Sequence, residues 1–589
     1  MKQFFKYVLA TMVGIILTTI IFIVICVVSI AGMIASESSH AKIEKNSILR
    51  IKLQGEVVER ANGGSPLDFF TSGEDYSIAL DEALVALKKA ASNDRVKGIY
   101  LEGGSLAAYP ADLQELRQGL QEFKESGKWI VAYGDVYSRG AYYLCSVADE
   151  VYLNPSGMID WSGMSSQPIF YTGLMKKIGV KMQVFKVGTY KSAVEPFINT
   201  EMSDANREQV KSFLFSIWNG MLADVAQSRK LEVETLNAIA DTATILCEAD
   251  AYVENKLADK LCYLSDVKDA LKQRLEFGED DDLKFTTLGD VAASDDLGDK
   301  TDEEIAIYYA YGEINDAGGF GFSQEHNITT KETITDLQKL CKDDDVKAVV
   351  IRVNSPGGSA YASEQIWHEI QLLRAKKPVV ISMGGVAASG GYYISCGANK
   401  IIAEPMTLTG SIGIFGMIPD ASELLTQKLG LSFDVVKTNA MSDFGAMGRP
   451  FNAAESAKMQ GYINRGYDLF TKRVAGGRGM EQDSVKAIAE GRVWTGEQAL
   501  KIGLVDQLGN LNDAVKAAAE LAGVEKYTIG RYPVPEPWYA SFFNDEVNDY
   551  MEGKMRAALG EYYPAFALIR RIGKMNPVQA RLPFDPNIK

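Results

Sequence analysis

The sequence has few of the residues on which many active sites depend. Its 589 residues include three histidines and six cysteines, and no two cysteines have the CxxC spacing of zinc and redox sites. We therefore expect buried free thiols, at most one disulfide, and neither a metal nor a cofactor. No basic run occurs in a chain of net charge −16, which excludes partners such as nucleic acid that are held by bulk electrostatics.

Long apolar runs are also scarce, because the chain has only one. Residues 8–35 contain no charged side chain, and Lys2 and Lys6 precede them. About 20 apolar residues cross a bilayer as a helix, whereas the apolar part of a cleaved signal peptide has about 7–15. The run therefore predicts a retained membrane anchor within residues 1–40. The two lysines predict a cytoplasmic N-terminus, with the body of the chain on the other side of the membrane.

The rest of the chain contains one pattern twice, at an offset of 250 residues. Residues 93–163 align with 343–413 without a gap. Residues that are identical in both copies include Asp94, Val96, Lys97, Gly134, Val136, Gly140, Tyr142, Tyr143, Ala148, Pro155 and Gly163. In each copy, short apolar strands alternate with helical patterns, which is typical of parallel βαβ units whose sheet is covered on both faces. The predicted helices are 76–91, 113–125 and 199–230, with counterparts at 331–342, 363–375 and 452–477.

These patterns predict an α/β chain of five parts. The anchor, 1–40, precedes a first repeat domain at 45–276 and a second at 304–522. Between the domains, 277–303 is acidic and poor in large apolar residues, which predicts a linker. Beyond residue 522 the sequence has no evident repeat partner, and 523–589 is expected to be a C-terminal extension that packs on the outside or in an assembly contact.

Ser389 is the candidate nucleophile. It follows an apolar strand in VAASGGYYIS, and small residues flank it on both sides. At the start of a helix, free N–H groups favour a developing anion, whereas a lone serine there would be an ordinary N-cap. The small neighbours, the strand end and a second glycine turn, NSPGGSA, at the end of the preceding strand favour the catalytic interpretation. We therefore choose the N–H groups of Gly358 and Gly390 as the oxyanion-hole donors.

A nucleophilic serine needs a base, and no histidine is well placed to serve. The three histidines lie beside the membrane (His40), in a loop (His326) and in the middle of a helix (His368). A lysine can act as the base if burial lowers its pKa toward about 7–8. Composition alone leaves Lys191, Lys186 and Lys437 as candidates.

The two copies differ at the positions that matter most. Ser389 aligns with Arg139, and after a slip of one residue Lys191 aligns with Ser442. One half therefore offers a serine without a lysine, and the other offers a lysine without a serine. This pattern predicts one active site per chain, assembled from both halves.

Four blocks carry a family resemblance: VNSPGGSAYASEQIW, VAASGGYYISCGANKIIAEPMTLTGSIGIFG, GTYKSAVEPF and GRVWTGEQALKIGLVDQLG. Together they resemble the signal peptide peptidase A (protease IV) family in its long, two-repeat, membrane-anchored form. The resemblance implies a Clp-protease/crotonase-like fold in each half and a serine peptidase that degrades cleaved signal peptides. It implies that Ser389 is the nucleophile, that Lys191 is the general base, and that Ser411 hydrogen-bonds the lysine and orients it.

The resemblance also implies hydrophobic peptide substrates, a location in the bacterial cytoplasmic membrane and a homotetramer. Three alternatives remain: a catalytically inactive membrane scaffold of the same fold, an acyl-CoA enzyme of the crotonase type, and a soluble Clp-type protease. The last lacks its histidine, and the second has no use for a serine–lysine pair. The sequence leaves open whether Lys191 serves the Ser389 of its own chain or that of a neighbour.

Overall fold

The computed structural model describes residues 43–60, 77–294, 301–316, 326–534 and 578–582, with a few isolated positions before residue 22. The predicted anchor, 8–35, lies almost wholly outside these residues, and so does most of the extension at 523–589. Among the residues that are described, no helix is both long and apolar enough to cross a bilayer.

The first half contains a six-stranded parallel sheet and a small three-stranded one. Its strands are β1 (Ser47–Lys52), β2 (Gly55–Val58), β3 (Ser77–Ala79), β4 (Val96–Glu102), β5 (Leu106–Ala107), β6 (Trp129–Tyr137), β7 (Glu150–Ile159), β8 (Lys181–Lys186), β9 (Lys260–Leu261) and β10 (Lys284–Thr286). Its α-helices are α1 (Leu80–Ser92), α2 (Pro110–Glu125), α3 (Arg139–Cys145), α4 (Thr172–Ile178), α5 (Glu195–Ile198), α6 (Asp204–Arg229), α7 (Val233–Ala240), α8 (Ala249–Glu254), α9 (Leu264–Arg274) and α10 (Leu288–Ala292). The larger sheet has the order β10-β1-β4-β6-β7-β9, and the smaller has the order β3-β2-β5.

The second half repeats this plan. Its strands are β11 (Glu304–Tyr311), β12 (Glu313–Asn315), β13 (Asn327–Thr329), β14 (Val346–Ser355), β15 (Gly357–Ser359), β16 (Val379–Ala388), β17 (Lys400–Ala403), β18 (Leu408–Gly410), β19 (Phe415–Asp420), β20 (Val493–Thr495), β21 (Gln507–Leu508), β22 (Thr528–Tyr532) and β23 (Val578–Arg581). Its α-helices are α11 (Thr330–Lys342), α12 (Ala360–Arg374), α13 (Gly390–Ser395), α14 (Ala453–Arg478), α15 (Gln482–Ile488), α16 (Gly496–Lys501) and α17 (Leu511–Ala522). The main sheet runs β20-β18-β16-β14-β11-β22, and β17 and β21 extend it beside β16.

The predicted parallel βαβ units are confirmed, with small shifts at the helix ends. Strand β16 is buried at every position, as expected for a strand covered on both faces. Helix α6 begins at Asp204, later than predicted, because the Ser203 hydroxyl accepts the Asn206 N–H and caps the helix there. Helix α12 begins earlier than predicted, at Ala360, where Ser359 is the cap.

The acidic segment 277–303 contributes to the first half as well as connecting it to the second. Within it, β10 pairs in parallel with β1, and α10 follows directly. In the second half, β22 pairs in the same way with β11. The repeat therefore extends past residue 522, which the sequence did not reveal, because β10 and β22 are short and their residues differ.

A third sheet joins the two halves. Its order is β13-β12-β15-β23-β19-β8. Strand β8 belongs to the first half, yet it lies antiparallel to β19 of the second half along its whole length. One hydrophobic cluster also crosses the boundary, since Val386, Met406 and Val493 pack with the core of the first half. The halves therefore form one interlocked body in the part of the chain that is described.

Buried charges also lie between the halves. Arg352 on β14 is fully buried, and its Nε and Nη2 donate to Glu59 Oε1 at 2.7 Å and Glu115 Oε2 at 2.6 Å, respectively. The other carboxylate oxygen of Glu115 accepts the Leu511 N–H at 2.8 Å. Both glutamates come from the first half, so one guanidinium of the second half neutralises two carboxylates across the boundary.

Glu404 lies in the second half and accepts a hydrogen bond from Gln118 of α2 at 2.9 Å. Burial, together with the nearby charge of Glu115, raises the pKa of Glu404 to about 8. The folded protein therefore binds this proton more tightly than the unfolded chain does. The resulting stability is fully present below the ordinary pKa of 4.5 and is lost as the pH rises to about 8.

Glu404→Gln is therefore expected to flatten the dependence of the melting temperature on pH between about 5 and 8. One proton corresponds to at most about 1.4 kcal/mol per pH unit in that window. Differential scanning fluorimetry across the window measures the slope. Glu497→Gln, at an exposed residue paired with Lys501, is the matched control and should keep the wild-type slope. An unchanged slope in Glu404→Gln would contradict this account of its burial.

Candidate active site

Lys191 reaches the second half by continuing from β8. Beyond that strand, the Val187 N–H donates to the Ile414 carbonyl at 3.3 Å, and the Tyr190 N–H donates to the Glu490 carbonyl at 3.0 Å. These two bonds hold 187–190 against the second half. The next residue, Lys191, is fully buried there.

Ser389 lies at the junction of β16 and α13 in a backbone conformation that is rare for a serine. Its φ and ψ are 55° and −111°, although it is not a glycine. The Ser389 N–H donates to the Gly410 carbonyl at 2.8 Å, and the Ser389 carbonyl accepts the Tyr393 N–H at 2.8 Å. Such strained backbone persists only where the surroundings hold it in place, and it is concentrated at functional sites.

The structure brings Lys191, Ser389 and Ser411 together. Lys191 Nζ lies 2.8 Å from Ser389 Oγ, 3.0 Å from Ser411 Oγ and 3.2 Å from the Ser411 carbonyl oxygen. Burial holds the pKa of Lys191 well below its ordinary value of 10.5. A buried amine of this kind can be neutral near physiological pH and can therefore accept a proton. Two residues that are distant in sequence and come from different halves thus form one hydrogen-bonded pair.

Two glycines, which the sequence did not mark as functional, pack directly against the Lys191 side chain. A Cβ on Gly491 would lie 2.7 Å from the Cβ of Lys191, and the φ of Gly491 is +80°. A Cβ on Gly413 would lie 3.2 Å from the Cδ of Lys191. Any side chain at Gly491 would therefore displace the lysine. The only sequence signal for it is its place at the start of the block GRVWTGEQ.

The glycine turn at β15 lies beside the start of α13. A Cβ on Gly357 would lie 2.6 Å from the Gly390 nitrogen, and one on Gly358 would lie 2.1 Å from the Ile314 carbonyl oxygen. Only glycine fits this close approach of backbones. Gly358 and Gly390, the predicted oxyanion-hole donors, therefore lie on adjoining elements next to Ser389.

The equivalent place in the first half holds a different group. Arg139 begins α3, and its Nη1 donates to the carbonyl of Gly163, the residue that aligns with Gly413. Ser442, the counterpart of Lys191, is exposed in a loop, where its hydroxyl donates to the Asn439 carbonyl at 2.7 Å. A serine–lysine pair is thus found at one of the two repeat positions and not at the other.

The remaining candidate bases lie elsewhere. Lys437 is exposed and pairs with Asp443 at 2.9 Å, and Lys186 is half-buried on β8. His368 is exposed on α12, while His326 stacks on Tyr311 with ring centroids 3.8 Å apart. His40 lies outside the described residues. Five of the six cysteines are described, and all five are free thiols.

Comparisons with known proteins agree with this architecture. The family model of peptidase family S49 matches residues 122–277 and 371–525, one segment in each half. The model of Clp protease matches residues 304–408, so the tandem repeat has a Clp-protease-like fold.

Two of three curated relatives match most of the chain. "Protease 4" of Salmonella typhi is 34% identical over 581 residues, which is 95% of this chain and 91% of the relative. "Serine protease SPPA, chloroplastic" of Arabidopsis thaliana is 30% identical, over 82% of this chain and 70% of the relative. "Putative signal peptide peptidase SppA" of Enterococcus faecium is 34% identical, over 41% of this chain and 70% of the relative. The chain therefore belongs to peptidase family S49 and is a serine peptidase.

Proposed function

We propose that the chain hydrolyses peptide bonds with a serine–lysine dyad, in which Ser389 is the nucleophile and Lys191 is the general base. The observation that carries this proposal is the 2.8 Å hydrogen bond between Lys191 Nζ and Ser389 Oγ. Each chain then has one active site, to which both repeats contribute.

The geometry suggests the following steps. Neutral Lys191 takes the proton from Ser389 Oγ as that oxygen forms a bond to the substrate carbonyl carbon. The N–H groups of Gly358 and Gly390 stabilise the oxyanion that results. The C–N bond then breaks, and Lys191 gives its proton to the leaving amine. A water molecule, activated by the same lysine, hydrolyses the acyl-enzyme and regenerates Ser389.

Ser411 has a positioning role in this proposal. Its hydroxyl and its carbonyl both lie within hydrogen-bond distance of Lys191 Nζ, at 3.0 and 3.2 Å. With two fixed neighbours, the amine is held facing Ser389 Oγ and loses little freedom when it reacts.

The dyad predicts how activity depends on pH. Only the neutral amine accepts the serine proton, and burial lowers the pKa of Lys191. We expect kcat/KM for peptide hydrolysis to rise tenfold per pH unit on the acidic side, through one ionisation, and to level off well below pH 10.5. A pH–rate profile measures this. An inflection at the ordinary lysine value, or no ionisation in the profile, would refute Lys191 as the base.

We further propose that the substrates are hydrophobic peptides such as cleaved signal peptides. The proposal is supported by the name of the Enterococcus relative, a putative signal peptide peptidase, and by the apolar run at 8–35, which would place the active site at a membrane. Purified full-length protein in vesicles should degrade a synthetic signal peptide faster than a polar peptide of equal length. Equal rates would contradict this substrate class.

We propose a single-pass anchor in the bacterial cytoplasmic membrane, with the catalytic body extracytoplasmic, and a homotetrameric assembly. The apolar run supports the anchor, and a long exposed loop bearing Leu431, Val436 and Met447 offers surface for subunit contacts. Carbonate extraction of membranes tests the anchor, with a variant that lacks residues 1–40 as the control. Release of the full chain by carbonate would contradict it. Sedimentation analysis in detergent tests the tetramer, and a monomeric mass would overturn it.

A further inference from the structure

The last described segment, 578–582, lies inside the third sheet. Its strand, β23, runs antiparallel to β15 on one side, with Ala580 opposite Gly358. On the other side it runs antiparallel to β19, with Gln579 opposite Phe415. Strand β23 thus pairs with two strands of the body at once.

This placement is the one that an extended peptide ligand adopts. Neighbouring strands lie about 4.8 Å apart, so β23 fills a slot one strand wide between β15 and β19. Strand addition of this kind binds a peptide through hydrogen bonds of its main chain, and pockets for alternate side chains add specificity. The slot is bounded by the glycine turn and by β19, which also pairs with the strand that leads to Lys191.

The carbonyl of Ala580 lies where the chemistry would occur. A Cβ on Gly357 would lie 2.2 Å from the Ala580 carbonyl oxygen and 2.6 Å from the Gly390 nitrogen. A Cβ on Gly390 would lie 3.1 Å from the same oxygen. This oxygen therefore lies between the glycine turn and Gly390, the residue that follows Ser389.

The residues on both sides of that carbonyl are held in place. Arg581 pairs with Glu313 at 2.7 Å, and the Leu582 N–H donates to the Pro356 carbonyl at 2.8 Å. The side chains of Ala580 and Leu582 are buried, at 0% and 2% exposure. The Ala580–Arg581 bond is thus fixed at the site by contacts on each side of it.

We propose that the Ala580–Arg581 bond is a processing site that the chain's own Ser389 cleaves; this inference rests on the proposed dyad. Ser389 Oγ bonds to the Ala580 carbonyl carbon and passes its proton to Lys191. The C–N bond to Arg581 breaks, and that nitrogen receives the proton. Water then hydrolyses the Ala580 ester, which leaves a chain that ends at Ala580 and a peptide of residues 581–589. Before cleavage, the tail occupies the slot that external peptides need.

Intact mass spectrometry of the full, untagged chain tests the proposal. Wild-type protein is expected to end at Ala580, and Ser389→Ala, purified in parallel, is expected to end at Lys589. Ala580→Tyr places a large ring at a fully buried methyl and should keep residues 581–589 without altering Ser389 or Lys191. The matched variant Arg581→Lys keeps a positive charge opposite Glu313 and should be processed like the wild type.

The possible outcomes separate this inference from the proposed function. Wild-type protein that cleaves an added peptide but still ends at Lys589 would overturn the processing site and leave the dyad intact. A cut at another bond, or the same truncation in Ser389→Ala, would also overturn it. Wild-type protein that is inactive on every peptide and keeps its tail would overturn the proposed function, and this inference with it.

Discussion

Lys191→Met is expected to lower kcat/KM for peptide hydrolysis by at least about 10³-fold while the protein stays folded. Removal of one member of a catalytic serine–base pair typically costs about 10⁴–10⁶ in rate, because the serine hydroxyl then has no proton acceptor. Methionine is similar in size to lysine and suits a site that is already fully buried, so the fold should tolerate it. Steady-state kinetics on a peptide substrate measure the loss, and circular dichroism checks the fold.

Lys186→Met and Lys437→Met are the matched controls. Both residues are candidate bases by composition, but Lys437 pairs with Asp443 at the surface and Lys186 is only half-buried on β8. Neither variant should change kcat/KM by more than about threefold, because neither lysine side chain contacts Ser389 and substitutions away from such sites usually have small effects. Full activity in Lys191→Met, or a large loss in Lys437→Met, would contradict the assignment of the base.

Arg352→Met is expected to have the largest effect on stability, about 3–5 kcal/mol of unfolding free energy. The substitution would leave the carboxylates of Glu59 and Glu115 buried without their cation, and breaking a buried pair on one side costs about this much. Both carboxylates lie in the first half and Arg352 lies in the second. Peptidase activity should therefore fall together with stability as the halves separate. Urea unfolding, followed by tryptophan fluorescence, measures the loss.

The triple variant Arg352→Met, Glu59→Gln, Glu115→Gln distinguishes unpaired charge from lost packing. Neutral replacement of a whole buried ion cluster is often close to neutral in stability, so the triple variant should recover most of the loss. Lys501→Met removes an exposed pair with Glu497 and should cost less than about 1 kcal/mol. A triple variant as unstable as the single one would show that the charges are not the cause.

The nearness of Ser389 to Lys191 could be predicted from the sequence because duplication left a record of it. Ser389 aligns with Arg139, and Lys191 aligns with Ser442. Each copy therefore lacks the catalytic residue that the other copy retains. Repeated local patterns also predicted the parallel sheets, since each βαβ unit depends on contacts between neighbouring segments. The family resemblance chose Lys191 over Lys186 and Lys437 as the base and added Ser411, which lies 3.0 Å from the lysine amine.

What the sequence could not predict depends on pairing between distant segments. The pairing of β8 with β19 joins residues more than 200 positions apart, and nothing in the pattern of either strand specifies the partner. The close contact between Gly491 and Lys191 likewise joins distant segments, one from each half of the chain. Strands β10, β22 and β23 are short, and a few residues carry too little periodicity to identify a strand.

The most direct test of the central claim, one dyad per chain built from both repeats, is to map the adduct of a fluorophosphonate serine probe by mass spectrometry. The account predicts one adduct per chain, on Ser389, and no adduct in Ser389→Ala or Lys191→Met. The first half should stay unlabelled, because Arg139 occupies its equivalent position. An adduct on any other residue, or full labelling of Ser389 in Lys191→Met, would contradict the account.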